Sequence, residues 1–256
     1  MSKGIVISLY DYTGEALKPW AKNGYTCYAF DIQHEGWTIE GYGNKNDEHV
    51  GSIHYRHADL HDRKTLLDIE LEFKLSELQG NDTIPNTKRV VFGMAFPVCT
   101  DLAVSGAAHF KRKEEANPGF QDKAVKHAVR CARLFNELGI PYFIENPVSV
   151  LATKWRKPDY SFHPYEYGEY IPDDEAEHPR WPDYIAPKDA YTKKTCLWTS
   201  ESFRMPHRLP TCKPNGYSAQ HLKLGGKSKR TKDIRSATPR GFATAVYEFN
   251  KVEETA

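Results

Sequence analysis

The sequence predicts an α/β fold with a doubly wound, mostly parallel sheet and a small loop-rich C-terminal elaboration. Across residues 1–150, apolar runs of strand length alternate with segments of helical periodicity, as strand–helix–strand units require. The first run, residues 5–10, is almost continuously apolar and ends in the turn signal of residues 11–14, which indicates a buried parallel strand. Beyond residue 154 few segments are periodic, and proline, aromatic and charged residues dominate.

The individual elements are predicted from apolar periodicity and from the turn residues that separate them. In order they are a strand at residues 5–10, a short helix that ends at Asn23-Gly24, strands at residues 25–32 and 53–60, a helix at residues 62–78, a strand at residues 89–96, a long helix, a strand at residues 141–144, and a last helix after residues 238–241.

The long helix before the fifth strand has the clearest limits. Asn117 is predicted as its N-cap, Pro118 as its first helical residue and Gly139 as its left-handed terminator. Because crossovers between parallel strands are right-handed and short, this helix should bring the ends of the fourth and fifth strands together. Its apolar residues recur at steps of three and four and predict one buried stripe. The stripe consists of Phe120, Ala124, Ala128, Cys131, Phe135 and Leu138.

Length and composition suit a globular protein. A chain of 256 residues, 39% hydrophobic and 27% charged, can form one α/β domain with an elaboration or two small domains. We predict a core at residues 1–153, an elaboration at residues 154–232, and a C-terminal helix within residues 233–256 that packs back on the core. No apolar run approaches the roughly 18 residues that cross a bilayer, and no signal peptide is recognisable, so we expect a cytoplasmic protein without membrane contact.

Net charge and cysteine content bear on nucleic acid binding and on disulfide formation. The formal net charge of +1 gives no global argument for nucleic acid binding. We interpret the basic run at residues 223–232 as a solvated loop, with a phosphate-contacting loop as the alternative. An odd number of scattered cysteines argues against a disulfide framework. The five are Cys27, Cys99, Cys131, Cys196 and Cys212.

Four polar features fall at the predicted carboxyl ends of strands, where doubly wound sheets bind ligands. They are residues 11–14, Asp31, Cys99 and Glu145. A glycine in the first strand-to-helix turn and an acid after the second strand suit a nucleotide-like cofactor, although both are also common in turns without one. The chain lacks a full G-x-G-x-x-G fingerprint, which favours adenosine over a dinucleotide.

Cys99 stands in a Pro-x-Cys-Thr turn at a strand end, which favours a reactive thiol over inert packing. A thiolate at neutral pH needs a positive neighbour or the backbone amides of a turn. Cys27 and Cys131 lie inside a strand and on an apolar helix face, and we interpret them as packing residues.

Several of these segments resemble the motifs of DNA (cytosine-5) methyltransferases. Residues 96–100, Phe-Pro-Val-Cys-Thr, resemble the cysteine-bearing motif, and residues 144–147, Ile-Glu-Asn-Pro, resemble the Glu-Asn motif. Residues 11–14 and 30–32 stand where the family has its cofactor loop and ribose-binding acid, and residues 236–243 resemble the segment that completes the cofactor pocket. The resemblance is greatest to the short phage and prophage branch, and it implies the Rossmann-like fold of class I S-adenosylmethionine-dependent methyltransferases.

The resemblance implies a role for each matched residue. Cys99 is the nucleophile, Glu145 holds the base and Asn146 braces the cysteine loop. The implied cofactor is S-adenosylmethionine, held by Asp11, Thr13, Gly14, Asp31, Ile32, Asp59, Pro97 and Thr238. The implied substrate contacts are Thr100, Lys193, Lys194 and Thr195.

The implied reaction is methyl transfer to C5 of a cytosine in DNA. The cysteine adds to C6 while the glutamate hydrogen-bonds N3 and the exocyclic amine, so electron density accumulates at C5. The cytosine must be flipped out or unpaired, because C6 is inaccessible in stacked DNA. No obligate protein partner is evident. Because the elaboration is short for a recognition domain, RNA, a free cytosine nucleotide, a modified donor and a catalytically silent nucleic-acid-binding protein stay open as alternatives.

For three further groups of residues we favour a structural interpretation over a functional site. Cys196, His207, Cys212 and His221 lack the closely spaced pair of a zinc site, so we predict no metal. The histidines at positions 54, 57 and 61 are interpreted as a surface or strand-end cluster. The aromatic residues of the elaboration can stack on bases or form its core, and we favour the core. They are Trp155, Tyr160, Tyr165, Tyr167, Tyr170, Trp181 and Tyr184.

Overall fold

The computed structural model describes residues 2–43, 49–78, 89–216, 218–225 and 228–252. Contacts between Cα atoms divide the chain into two compact units, each assembled from separate segments. The first unit consists of Met1–Tyr12, Trp20–Ser161 and Thr195–Phe203, and the second of Thr13–Pro19, Phe162–Lys194 and Arg204–Ala256. The division expected from the sequence, into residues 1–153, 154–232 and 233–256, stays a prediction.

The sheet has eight described strands. In chain order they are β1 (Ile5–Leu9), β2 (Thr26–Asp31), β3 (Trp37–Gly43), β4 (His49–His57), β5 (Val90–Ala95), β6 (Tyr142–Pro147), β7 (Tyr160–Phe162) and β8 (Thr195–Thr199). They lie in the order β3-β4-β2-β1-β5-β6-β8-β7. Parallel pairs join β1 to β2 and β5, β2 to β4, and β5 to β6, whereas β3–β4 and β6–β8 are antiparallel. The predicted α/β class with a mostly parallel sheet is confirmed, and it is compatible with a Rossmann-like fold.

Helices connect most of these strands. In chain order they are α1 (Lys18–Lys22), α2 (Arg63–Leu78), α3 (Phe110–Ala116), α4 (Phe120–Glu137), α5 (Leu151–Lys154), α6 (Ala219–Lys223), α7 (Lys229–Ser236) and α8 (Arg240–Asn250). None of the helices in the described ranges is both long and apolar enough to cross a membrane.

Strand β1 lies at the centre of the sheet, and all five of its residues are buried. Its run of branched apolar side chains suits a position between two parallel neighbours, since both faces pack against other elements. Ile7 and Leu9 belong to one core cluster with Phe30 of β2 and Phe135 of α4. The predicted buried first strand is therefore confirmed.

Helix α4 has the predicted apolar stripe but not the predicted beginning. It begins at Phe120, with Gly119 at the N-cap in a left-handed conformation (φ 70°), so the predictions of Asn117 as N-cap and Pro118 as first helical residue are wrong. Asn117 is instead the C-cap of α3, a helix that the sequence pattern did not indicate. Gly139 has φ 64° and ends the helix as predicted.

Three strands, β3, β7 and β8, were missed by the sequence analysis. Strand β3 pairs antiparallel with β4, and six of its seven residues are exposed, so it carries no burial pattern to recognise. The predicted third strand at residues 53–60 is instead β4, which ends at His57. Strand β8 is only five residues long and lies inside the region predicted as loops, yet it pairs with β6 in the main sheet.

The second unit has its own aromatic packing. Phe242 of α8 stacks on Phe162 with ring centroids 4.0 Å apart and meets the buried Tyr167 edge-on. Trp181 and Tyr184 pack against a small cluster that includes Leu224 and Ile234. These contacts support the interpretation as core for Tyr167, Trp181 and Tyr184, whereas Tyr160 is exposed.

The basic run at residues 223–232, which was interpreted as a loop, is partly helical in its described part. It contributes the end of α6 and the beginning of α7, and Ser228 caps α7 by accepting a hydrogen bond from the Thr231 amide at 3.2 Å. Lys227 lies outside the described residues.

Candidate active site

The direction in which the chain adds strands to the sheet reverses at β1. From β1 the chain first adds β2 and β4 on one side, and it then returns to add β5 and β6 on the other side. In sheets of this kind, ligands bind beyond the carboxyl ends of the strands at the reversal point. The residues that follow β1 and β5 here are Asp11 and the segment from Pro97 to Cys99. The topology therefore brings two of the predicted site segments to the same edge of the sheet.

Cys99 is exposed and begins a 3-10 turn at Cys99–Asp101. Its carbonyl oxygen accepts hydrogen bonds from the amides of Leu102 at 3.0 Å and Ala103 at 2.8 Å, which fixes the turn. Pro97, two residues earlier, is buried. The turn therefore holds the thiol outward on a short, well-bonded segment.

Asn146 anchors the Cys99 segment to the neighbouring strand. Its side chain is 1% exposed, and Nδ2 donates a 2.8 Å hydrogen bond to the carbonyl oxygen of Pro97. The bracing contact expected from the sequence is present. The other amide atom, Oδ1, is buried and has no hydrogen-bond partner among the described residues.

Backbone hydrogen bonds join the same two segments further along. The Val104 amide donates to the carbonyl of Val148, and the Val150 amide donates to the carbonyl of Leu102, each at 3.0 Å. Together with an antiparallel bridge between Ala103 and Ser149, they fasten the chain after Cys99 to the chain after β6.

Glu145 lies in β6, half-buried, one residue beyond Ile144, which pairs with Ala95 at the end of β5. Its strand partner on the other side is Leu197 of β8, and Pro147 faces Thr195 two residues on. Because side chains two residues apart share a face of the sheet, Thr195 and Glu145 belong to one face at the sheet's edge. Thr195 is 2% exposed, and Thr100, next to Cys99, is exposed.

The predicted cofactor residues of the first unit lie at strand ends. Asp11 is 4% exposed and its Oδ2 accepts a 2.8 Å hydrogen bond from the Ser8 hydroxyl. Asp31 ends β2, and its Oδ1 accepts from the Gln33 amide at 2.8 Å. Ile32 follows with 56% of its surface exposed.

The exposed side chain of Ile32 and the buried carboxylate of Asp31 give the end of β2 an apolar surface next to a hydrogen-bonding group. Asp59, after β4, is also exposed, and its Oδ1 accepts a hydrogen bond from the His61 amide.

The remaining predicted residues belong to the second unit. Gly14 has φ 67°, a left-handed conformation that favours glycine, and its carbonyl accepts from the Leu17 amide at 3.0 Å. Thr13 is 5% exposed and Thr238 is 8% exposed. Lys193 donates to the carbonyl of Arg235 at 2.9 Å, which gives this lysine a structural contact, and Lys194 is exposed.

Two features of the site loops were missed by the sequence analysis. Tyr10 has φ 58°, unusual for a bulky residue, and its hydroxyl donates to the carbonyl of Leu60 at 3.0 Å. Burial is the main cause that raises the pKa of this hydroxyl well above its ordinary value. His34 contacts the Asp11 carbonyl through Nε2 at 3.1 Å and stacks on Tyr12, and burial lowers its pKa. Backbone strain and ring stacking have no signal in sequence periodicity.

No protein-family model matches this chain, and no curated protein matches it significantly.

The other candidate groups are dispersed. Within the described ranges, no three histidine, cysteine, aspartate or glutamate side chains are arranged to hold a metal ion. His54 contacts Ser52, His57 contacts the His34 carbonyl, and His61 stacks on His127 at 4.1 Å.

Proposed function

We propose that this chain is an S-adenosylmethionine-dependent methyltransferase that acts on C5 of cytosine in DNA. The observation that carries the proposal is the exposed Cys99 turn, tied through Asn146 and the backbone of residues 102–104 to the strand that bears Glu145. A nucleophile and an acid on neighbouring strand ends are what addition to C6 of a pyrimidine requires.

The residues at the strand ends fit the cofactor. A buried acid at the end of β2, with the exposed Ile32 beside it, suits the ribose hydroxyls and the adenine face. When bound, S-adenosylmethionine supplies the methyl group that C5 of the cytosine takes up.

The chain's own residues perform the remaining steps. The Cys99 thiolate forms a bond from Sγ to C6, and the electron pair of the C5–C6 double bond moves toward C5 and N3. Glu145 stabilises that charge by a hydrogen bond at N3 and orients the exocyclic amine. After methylation the C5 proton leaves to a base, and the returning electron pair expels the thiolate. Asn146 acts as a positioning residue, because it holds the Pro97 carbonyl and thereby the cysteine turn.

The decisive experiment combines the full chain, labelled S-adenosylmethionine and cytosine-containing DNA. We expect mass spectrometry of the nucleosides to find 5-methylcytosine with the unaltered protein and none with Cys99→Ala, because the covalent addition is lost. Cys212→Ala is the matched control, since Cys212 is also exposed but belongs to the second unit.

Parallel reactions with single-stranded DNA, RNA and a cytosine nucleotide identify the acceptor. Full activity of Cys99→Ala would overturn the mechanism. A covalent adduct with DNA that contains 5-fluorocytosine is a second readout of the same thiol. If the unaltered protein binds DNA but forms neither product nor adduct, it is a silent nucleic-acid-binding protein and the proposal is wrong.

A further inference from the structure

A groove between α2 and α4 lies on the helices of the first unit and plays no part in the proposed methyl transfer. Its volume is about 230 Å³. Helix α2 contributes Arg63, Leu66, Leu67 and Glu70, and α4 contributes Arg130, Arg133 and Leu134. On both helices these positions are three and four residues apart, so each set shares one helix face.

The positive charge of this groove is not balanced by the described protein. Arg63 and Arg133 are exposed and form no ion pair with any described residue, and Arg130 donates only to the His61 carbonyl, at 3.4 Å. The one carboxylate in the lining, Glu70, is 3.0 Å from the Lys74 ammonium. Three guanidinium groups therefore line one space in which the Glu70 carboxylate is already paired with Lys74.

The floor of the groove is apolar. Leu66 is 5% exposed and Leu134 is 2% exposed, and both belong to the main core cluster. A dry apolar cavity of about 150 Å³ holds a benzene-sized molecule. A groove of about 230 Å³ therefore has room for a ring-sized apolar body together with an anionic group.

From this geometry we infer that the α2–α4 groove binds a small organic anion, with a phosphate or carboxylate between the arginines and an apolar body on the leucine floor. Guanidinium groups match both anions, because their planar N–H donors form paired hydrogen bonds to two oxygens. None of the seven lining residues belongs to the proposed methyl-transfer site, so the inference stands whether or not methyl transfer is confirmed.

The test uses isothermal titration of the full chain with phenyl phosphate, phenylacetate and the neutral benzyl alcohol. We expect at least one anion to bind saturably and benzyl alcohol not to bind, and the tighter of the two anions identifies the headgroup. Arg63→Gln and Arg133→Gln should each weaken binding about tenfold, which corresponds to about 1.4 kcal/mol. Arg112→Gln, an exposed arginine of α3 outside the groove, should leave the affinity unchanged.

Three results would overturn the inference. They are saturable binding of benzyl alcohol as tight as that of the anions, unchanged affinity in a variant that combines Arg63→Gln with Arg133→Gln, and no saturable binding of either anion. A DNA duplex that binds through Arg63 and Arg133 while both small anions fail would assign the groove to a nucleic acid instead. Thermal unfolding of each variant shows that the fold is retained, since both arginines are exposed and unpaired with described residues.

Discussion

At the scale of single residues, several buried polar side chains have an atom without a hydrogen-bond partner among the described residues. Asn146 combines one strong hydrogen bond with one amide oxygen that has no partner among the described residues. Asp189 in the second unit is similar, since its Oδ2 accepts from the Gly241 amide at 3.1 Å while Oδ1 is buried without a described partner. Buried polar atoms of this kind cost stability unless water or a ligand satisfies them.

Asp189 makes the stability of the protein depend on pH. Burial raises the pKa of its carboxyl from 3.8 to about 6, against the opposing effect of Arg240. Because the folded-state pKa is the higher one, this carboxyl favours folding most below pH 4, and that contribution is lost as the pH rises through 6.

We expect Asp189→Asn to raise the free energy of unfolding at pH 8 by on the order of 2 kcal/mol and to change it little at pH 4. Asparagine keeps an acceptor for the Gly241 amide and tolerates the left-handed φ of 51°. Urea unfolding at both pH values measures the effect, with Asp174→Asn, at an exposed aspartate of the same unit, as the control. A variant less stable than the unaltered protein at pH 8 would contradict this account.

At the scale of elements, the packing of α4 on the sheet determines where Cys99 and Glu145 lie. The helix connects β5 to β6, and its Phe135 ring lies directly over Gly93 of β5. A Cβ atom at Gly93 would lie 2.5 Å from that ring, and Phe135 is fully buried, so the helix approaches the strand this closely only because position 93 has no side chain.

Gly93→Ala is therefore expected to destabilise the protein by about 1–3 kcal/mol through overpacking. Denaturant midpoints provide the measurement. Gly106→Ala is a suitable control, because its Cβ would meet its nearest atom at 3.8 Å, an ordinary contact. Combining Gly93→Ala with Phe135→Leu should recover part of the loss, since the smaller side chain yields space. Equal midpoints for Gly93→Ala and the unaltered chain would show that α4 shifts without cost.

At the scale of the whole molecule, the sheet is completed beside β6 by a strand that comes from much later in the chain. Strand β8 comes from residues 195–199 but pairs with β6, so the first unit is completed by a segment that follows most of the loop-rich region. Its Trp198 is fully buried and stacks with Trp155 at 6.3 Å. The strand that carries Glu145 is thus covered on both sides.

A fragment of residues 1–153 should therefore not fold cooperatively, because it lacks β8 and leaves the β6 edge unpaired. A fragment of residues 1–203 retains every segment of the first unit and is expected to show a cooperative thermal transition. Near-ultraviolet circular dichroism and the dispersion of amide proton NMR signals distinguish a folded fragment from an unfolded one. A cooperative transition in the 1–153 fragment would show that β6 needs no partner on that side.

The sequence by itself determined the parallel centre of the sheet, the stripe of α4 and the approach of the Cys99 and Glu145 segments. Each depends on local patterns, namely continuous apolar runs, a step of three and four residues, and the short crossover between neighbouring strands. Asn117 shows where local reasoning failed, because a good capping residue ends α3 and Gly119 begins α4.

Only the tertiary structure decided the pairing of β8 with β6, the strained Tyr10, and the arginine groove between α2 and α4. These features join residues that are far apart in the chain, and their energies come from contacts that no single segment contains. The local sequence around a five-residue strand or an exposed arginine is the same whatever that residue or strand contacts. The role of each is therefore set by the residues that it contacts in the folded protein.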